Sequence, residues 1–182
     1  MSDIYFISDT HFLHDNIVNY CERPNDHNKL MIQRWNSVVK PEDYVFHLGD
    51  FSAGVGKHEN GYEKLMKIAS LLNGEKHLVR GNHDHYTDKQ YINDFGFTSV
   101  NDYIVYKNLF LCHYPLIIDE YTTGKKLEIF TSLREKFKNS NADYLIHGHS
   151  HMKQFKGKRI NVAVEQINYT PVLESNLTNL LK

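Results

Sequence analysis

Short apolar runs alternate along this chain with longer stretches in which apolar residues recur at helical spacing. The first run, at residues 4–7, ends in polar Ser8-Asp9 and is typical of a buried strand. The first stretch with helical spacing covers residues 28–39 and is closed by Pro41. The same change of period recurs along the rest of the chain, which indicates an α/β protein.

The pattern predicts the following elements. Strands are expected at residues 4–7, 44–48, 77–79, 99–106, 109–112, 144–146 and 158–164. Helices are expected at residues 28–39, 62–72, 88–95 and 127–137, and the leucines after residue 171 have helix-compatible spacing. Residues 107–108 are predicted to form a hairpin turn. Because no linker, repeat or low-complexity tract interrupts the pattern, we predict one layered α/β domain over residues 1–182, with a mixed sheet.

Polar side chains follow five of the predicted strands directly. In chain order they are Asp9 and His11, then Asp50, then Asn82, His83 and Asp84, then His113, then His149 and His151. In an open α/β sheet, ligands bind beyond the carboxyl ends of the strands. Glycines 49, 81 and 148 stand beside these side chains and suit tight turns and close backbone approach. The sequence therefore predicts one site at this edge.

Residue spacing within the site is also informative. If the extended conformation persists past the first strand, Asp9 and His11 point the same way and can reach one ion. The same holds for His149 and His151. Seven candidate ligands are too many for one tetrahedral site, and they suffice for two ions that share a carboxylate.

The composition narrows the range of metals and partners that the site could bind. Twelve histidines stand against two cysteines in 182 residues, which argues against a thiolate zinc site or a disulfide framework. Imidazoles, carboxylates and a carboxamide suit a borderline divalent metal such as manganese, iron, zinc or nickel. The formal charge of -1 argues against a long nucleic acid as partner and leaves a small phosphorylated substrate open.

The expected location follows from what the sequence lacks. No apolar run reaches the ~18 residues of a membrane span, so no membrane association is expected. The start Met-Ser-Asp leaves no room for a signal peptide, and two cysteines fit a reducing compartment, so the cytoplasm is predicted. The sequence does not indicate the oligomeric state.

The ordered motifs resemble those of the calcineurin-like metallophosphoesterases, specifically the short single-domain bacterial and phage type. The matching pieces are Asp9-Thr10-His11, Gly49-Asp50, Gly81-Asn82-His83-Asp84, His113 and Gly148-His149-Ser150-His151. The resemblance implies an α/β/β/α sandwich with mixed sheets and a metal site at the carboxyl ends of the strands. One departure is visible: Phe51-Ser52-Ala53-Gly54 replaces the Asp-Arg-Gly of the family's protein phosphatases, which argues against phosphoprotein substrates.

The resemblance also implies roles. Asp9, His11 and His151 would hold one metal, Asn82, His113 and His149 the other, and Asp50 would bridge them. Manganese is the expected metal, with iron, zinc and nickel as alternatives. His83 would face the phosphate and stabilise its oxygens or protonate the leaving group, and Asp84 would help to orient His83. Apart from the resemblance, His83 and Asp84 could instead be a turn pair that caps the next helix. The implied reaction is hydrolysis of phosphate mono- or diesters of a small molecule or nucleotide by a metal-bridging hydroxide.

Several alternatives stay open at this point. A non-catalytic interaction scaffold on the same fold would lack site residues, and none is missing here. A metal-storage protein would bind ions without turnover. Within the enzyme class, the alternative is a nuclease. His14, His85 and residues 114–126 lie close enough in sequence to line the cleft. Arg23 and Arg80 could contact phosphate, although surface salt bridges are the favoured interpretation.

Overall fold

In the computed structural model, which describes residues 2–151 and 157–180, nine β-strands form two mixed sheets. The strands are β1 (Ile4–Ile7), β2 (Tyr44–His47), β3 (Glu75–Val79), β4 (Phe97–Asn101), β5 (Ile104–Tyr106), β6 (Leu109–Leu111), β7 (Tyr144–His147), β8 (Arg159–Asn161) and β9 (Val172–Leu173). The α-helices are α1 (Ile17–Tyr20), α2 (His27–Val38), α3 (Gly61–Ser70), α4 (Asp88–Asn93) and α5 (Gly124–Lys138). Short 3-10 turns lie at Val55–Lys57, Val164–Gln166 and Glu174–Leu180.

The first sheet has the strand order β4-β3-β2-β1-β9. Strands β1 to β4 run parallel, and the short β9 pairs antiparallel with β1. The second sheet has the order β5-β6-β7-β8, in which only β5 is antiparallel to its neighbour. The carboxyl ends of β1, β2 and β3 therefore share one edge, and so do those of β6 and β7.

The two sheets pack face to face between layers of helices. Phe46 of the first sheet and Tyr106 of the second meet with ring centroids 5.3 Å apart. On the outer side of the first sheet, the Tyr5 hydroxyl donates to the carbonyl of Val38 in α2. Side chains alternate across β6: Leu109 and Leu111 join the core between the sheets, whereas Phe110 packs with α5. This alternation gives the α/β/β/α sandwich.

The sheets are also joined beyond their strand ends. Ser8 forms a parallel bridge with Ala163, and its amide donates to the carbonyl of Val162 at 2.9 Å. The loop after β1 is thereby joined to the segment that follows β8. None of the helices in residues 2–151 and 157–180 is long and apolar enough to cross a membrane.

Three predicted elements were wrong in detail. Residues 99–106 are not one strand, because the chain leaves β4 in the first sheet and enters β5 in the second. The predicted strand 158–164 is a strand only at Arg159–Asn161; Ala163 adds an isolated bridge to Ser8, and a 3-10 helix begins at Val164. The tail after residue 171 is β9 and a 3-10 helix rather than an α-helix. In the tail, the strand forms because Val172 and Leu173 pair with Phe6 and Tyr5 of β1, at the other end of the chain.

Candidate metal centre

Five loops at the carboxyl ends of β1, β2, β3, β6 and β7 bring the predicted site residues together. They carry, in that order, Asp9 and His11, Asp50, Asn82 with His83 and Asp84, His113, and His149 with His151. The loops are tied to one another through their backbones. The amide of Asp9 donates to the carbonyl of Gly49, and the amide of His11 donates to the carbonyl of Asp50, both at 2.9 Å.

The backbone of these loops is not extended, so the expectation that the extended conformation persists past the strands was wrong. Asp9, His11, Asp50 and His149 have φ angles of 58°, 47°, 56° and 66°, in the left-handed region. Non-glycine residues occupy this region rarely, and they do so mostly at sites where the surrounding structure enforces it. The side chains reach a common centre because each loop turns sharply after its strand.

The glycines beside the site allow close packing of the loops, as expected. Gly49 has a φ of 93°. A Cβ atom on Gly81 would collide with the carboxylate of Asp50, and one on Gly148 would collide with that of Asp9. These positions therefore require glycine for the two carboxylates to stay where they are.

A first group of ligand-type side chains consists of Asp9, His11, Asp50 and His151. The Nε2 atom of His11 lies 3.9 Å from Oδ1 of Asp9 and 3.4 Å from Oδ2 of Asp50. The Nε2 atom of His151 lies 3.6 Å from the same Asp9 oxygen. Asp9, His11 and Asp50 are buried, and His151 is partly exposed. The four side chains thus surround one small space.

A second group consists of Asp50, Asn82, His113 and His149. The Nε2 atom of His113 is 3.4 Å from Oδ2 of Asp50, 3.1 Å from Oδ1 of Asn82 and 3.2 Å from Nδ1 of His149. The other ring nitrogen of His113 donates to the carbonyl of Leu48 at 2.9 Å, which fixes the ring and leaves Nε2 facing the group. Asp50 belongs to both groups through the same oxygen.

The pKa values of the carboxyl groups and imidazoles in the centre are shifted in different directions. Burial raises the pKa of Asp9. Burial also opposes ionisation of Asp50, but the adjacent His113 holds the pKa of that carboxyl well below its ordinary value. Burial likewise opposes protonation of His113, yet the charge of Asp50 outweighs it and raises the pKa of His113 to about 9. Burial and the charge of His113 lower the pKa of His149 to about 3.

The donor set fits a cation. Oδ1 of Asp9 and both ring nitrogens of His11 are buried without a hydrogen-bond partner among the described residues. Ligand atoms of Asp9, His11 and His151 lie within 4.8 Å of one another, and so do those of Asp9, Asp50 and His113. Buried polar atoms without partners cost free energy, and a divalent ion would satisfy them with the nitrogen and oxygen ligands it prefers.

His83 lies above the centre. Its backbone amide donates to Oδ1 of Asp50 at 2.8 Å, and its exposed ring stands 5.2 Å, centroid to centroid, from the ring of His11. The ring of His14 is 5.4 Å from that of His11 and 6.3 Å from that of His83. Both histidines therefore line the cleft over the first group.

Asp84 lies beneath the ligand groups, where its side chain binds backbone amides. Its buried carboxylate accepts hydrogen bonds from the amides of Asp50, Phe51 and Gly81 at 2.7, 3.0 and 2.8 Å. The hydroxyl of Tyr91 donates to it at 3.0 Å. Burial raises the pKa of Asp84, and the charge of Asp50 adds to the effect. The carboxylate joins the loops after β2 and β3.

Replacement of Asp84 by alanine is expected to lower the free energy of unfolding by at least about 3 kcal/mol, because three amides lose their acceptor. Chemical denaturation of the metal-free chain measures the change. Asp88→Ala is the matched control: Asp88 is exposed and pairs with Arg80, so its loss should cost less than about 1 kcal/mol. Equal stabilities of the two variants would contradict the structural role of Asp84.

Arg23 and Glu165 form a buried pair that the sequence did not reveal. The guanidinium of Arg23 lies 2.7 Å from Glu165 in an ion pair whose side chains are 0% and 6% exposed. The expectation of a surface or phosphate-binding Arg23 was therefore wrong. Arg80, by contrast, pairs with exposed Asp88, as expected.

Three cavities adjoin the centre. One of about 390 Å³ is lined by Lys57, His83 and His85. A second of about 460 Å³ is lined by Asn82, His85, Tyr114, Lys126 and His149. His85 thus lies between these two cavities.

The third cavity, of about 570 Å³, lies along the segment 114–126. Its lining includes Pro115, Thr122, Lys126, His149 and His151. The segment therefore borders two of the three cavities, as its predicted position over the cleft requires. Each of the three cavities has a lysine in its lining.

This chain is similar in sequence to known proteins and in fold to a solved structure. The model of the calcineurin-like phosphoesterase superfamily domain matches residues 3–167. An uncharacterised protein of Methanocaldococcus jannaschii is 36% identical over 195 residues, covering 100% of this chain and 93% of that protein. The gene 66 protein of Mycobacterium phage D29 is 28% identical over 88% of this chain and 84% of its own. A protein of unknown function from Aquifex aeolicus has a crystal structure similar at a TM-score of 0.79, with 33% identity and 100% of both chains covered.

Proposed function

Because the chain belongs to the calcineurin-like phosphoesterase superfamily, whose members are generally metal-dependent phosphoesterases, we propose that it is a dinuclear metal-dependent phosphoesterase. Its substrates would be phosphate mono- or diesters of a small molecule or a nucleotide. The position of Asp50 carries the proposal: Oδ2 is 3.4 Å from Nε2 of His11 and 3.4 Å from Nε2 of His113. One carboxylate oxygen that serves two ligand groups is what a pair of neighbouring cations needs.

The two groups would hold one ion each. Asp9, His11 and His151 would bind the first, Asn82, His113 and His149 the second, and Asp50 both. Manganese is the proposed metal, with iron, zinc and nickel as alternatives of similar ligand preference. Two divalent cations supply charge neutralisation for the phosphoryl oxygens and a lowered pKa for water.

The protein's own residues would position the reactants. The hydrogen bond from His113 to Leu48 keeps its Nε2 atom facing the second group. The amide of His83 holds Oδ1 of Asp50, which leaves Oδ2 for the ions. The exposed ring of His83 would donate a hydrogen bond to a phosphoryl oxygen or give a proton to the leaving oxygen.

The cavities favour substrates of limited size. Two cavities meet at His85, and both reach residues of the centre, so substituents could extend from phosphorus in two directions. This arrangement accommodates a diester as well as a monoester. The net charge of -1 gives the chain no overall basic surplus, so a nuclease acting on long polymers is disfavoured.

Metal removal tests the proposal directly. The full chain with added manganese is expected to hydrolyse p-nitrophenyl phosphate or bis-p-nitrophenyl phosphate, and chelation should lower the rate by about 10³-fold or more, since Lewis acidity contributes several kcal/mol. Release of p-nitrophenol measures the rate, and added manganese should restore it. Full activity in the chelated protein, or two bound ions without turnover of any ester, would contradict the proposal.

The substrate class is then resolved with a panel. Phosphomonoesters, cyclic nucleotides, dinucleotides and short oligonucleotides are compared with manganese, nickel and magnesium. The proposal expects turnover within the small substrates. A rate that rises steadily with oligonucleotide length would favour the nuclease instead.

A further inference from the structure

The buried pair of Arg23 and Glu165 lies directly behind the first group of ligands. The guanidinium of Arg23 donates to the carbonyl oxygens of Asp9 and Thr10, both at 2.7 Å, and its Nε atom donates to Glu165 at 2.8 Å. Asp9 and His11 flank Thr10, and both have left-handed backbones. One cation therefore holds two successive carbonyls of the strained turn that presents these ligands.

The other end of the pair contacts the ring of His151. The Nδ1 atom of His151 lies 3.1 Å from each carboxylate oxygen of Glu165, so its N–H donates to that carboxylate. The opposite nitrogen, Nε2, then carries the lone pair and faces Asp9 at 3.6 Å. A carboxylate behind an imidazole in this way fixes both the tautomer and the ring orientation of a metal ligand.

A purely structural ion pair is the simpler explanation, but it accounts less well for these contacts. A buried ion pair is weak evidence for stability, since desolvating both charges offsets most of their attraction. Here both partners use their remaining hydrogen-bonding capacity on the backbone of Asp9 and the ring of His151. Both ends of the pair thus terminate on candidate ligands of the same ion.

A metal site formed by Glu165 itself is disfavoured. Cys21, His151 and Glu165 have ligand atoms within 4.8 Å of one another. The carboxylate of Glu165 already accepts hydrogen bonds from Arg23 and from Nδ1 of His151. Arg23 also neutralises the carboxylate that such a site would need.

We propose that Arg23 and Glu165 are positioning residues for the first ion only, one holding the turn at Asp9 and the other aiming His151. The proposal rests on the dinuclear centre described above. The second group is held differently, since His113 is fixed by the carbonyl of Leu48. Loss of Glu165 should therefore affect the two ions unequally.

Metal titration of the full chain tests this asymmetry. The metal-depleted protein is titrated with manganese and followed by calorimetry and by the electron paramagnetic resonance of the coupled manganese pair. Wild type is expected to bind two ions. Glu165→Gln should bind one of them about 10- to 100-fold more weakly, as loss of such a hydrogen-bond partner does elsewhere, and keep the other unchanged. The coupled signal should then require correspondingly more manganese.

Two further variants make the result specific. Glu174→Gln removes a carboxylate that pairs with exposed Lys107, and its titration should match wild type. Glu165→Asp keeps a negative charge beside Arg23 but withdraws it from His151 by one methylene. It replaces Glu165→Gln if that variant does not fold, and one ion should again bind at least about tenfold more weakly.

The outcomes separate this inference from the proposed function. If Glu165→Gln, or Glu165→Asp in its place, binds both ions as wild type does, the positioning role is overturned while the function stands. Equal weakening of both ions overturns it too, because a merely structural role would act on the whole fold. A wild-type chain that binds fewer than two ions contradicts the dinuclear centre itself, and with it this inference.

Discussion

Replacing Asp50 with asparagine is expected to lower the turnover of an aryl phosphate by about 10³-fold or more, because one shared ligand of both ions loses its charge. The substitution keeps the size of the side chain, and the amide oxygen can still accept the hydrogen bond from His83. Turnover under saturating manganese measures the loss, and elemental analysis of the dialysed protein measures the ions retained. Fewer than two ions per chain should remain.

An exposed aspartate provides the control for that experiment. Asp143→Asn removes a surface carboxylate that pairs with Lys158, and its rate and metal content should equal those of wild type. If Asp50→Asn retained two tightly held ions and more than about a tenth of the activity, a bridging role for this carboxylate would be untenable.

The second large effect is expected at His83. His83→Ala should lower kcat by about 10²- to 10⁴-fold, the range for loss of a positioned acid–base group, while both ions stay bound. The ring of His83 belongs to neither ligand group, so metal titration should be unchanged. Steady-state kinetics with p-nitrophenyl phosphate and calorimetry of manganese binding provide the two measurements.

The neighbouring histidine serves as the comparison. The ring of His85 is exposed and lies 6.4 Å from that of His83, between two of the cavities. His85→Ala should change KM more than kcat, since a cavity wall affects binding first. Loss of an ion in His83→Ala, or a kcat close to that of wild type, would refute the assigned role.

The positions of the site residues were predictable from sequence because they depend on a local signal. Each of Asp9, Asp50, Asn82 and His113 comes shortly after a buried apolar run, and parallel strands deliver their ends to one edge. The order of the motifs then indicated the family. The roles of the individual ligands remain predictions.

The geometry behind the site was not predictable in the same way. Arg23 and Glu165 are 142 positions apart, and no local pattern marks either of them as buried. The division of residues 99–106 between two sheets also depends on strand pairing, because β4 pairs with β3, whereas β5 forms a hairpin with β6, which pairs in turn with β7. The local sequence indicates the hydrophobic periodicity of an element, whereas the strand or side chain with which that element pairs depends on the whole fold.

The position of Asp84 was predictable from the sequence, but its role was not. Its place in the Gly81-Asn82-His83-Asp84 motif identified it as part of the site, with orientation of His83 or helix capping as its role. The structure instead shows its carboxylate binding amides from two loops. A motif indicates that a residue matters, but its hydrogen-bond partners determine how.

The left-handed turns also bear on protein engineering. Asp9, His11, Asp50 and His149 each sit in a conformation that costs an ordinary residue about 1 kcal/mol or more. Together this is a sizeable fraction of the 5–15 kcal/mol, roughly, that stabilises a typical domain. Glycine in place of His11, whose ring nitrogens are buried without a hydrogen-bond partner among the described residues, would relieve the strain and remove a ligand at once. A search for heat-resistant variants that selects on folding alone would therefore favour inactive ones, so it needs a selection for metal binding alongside.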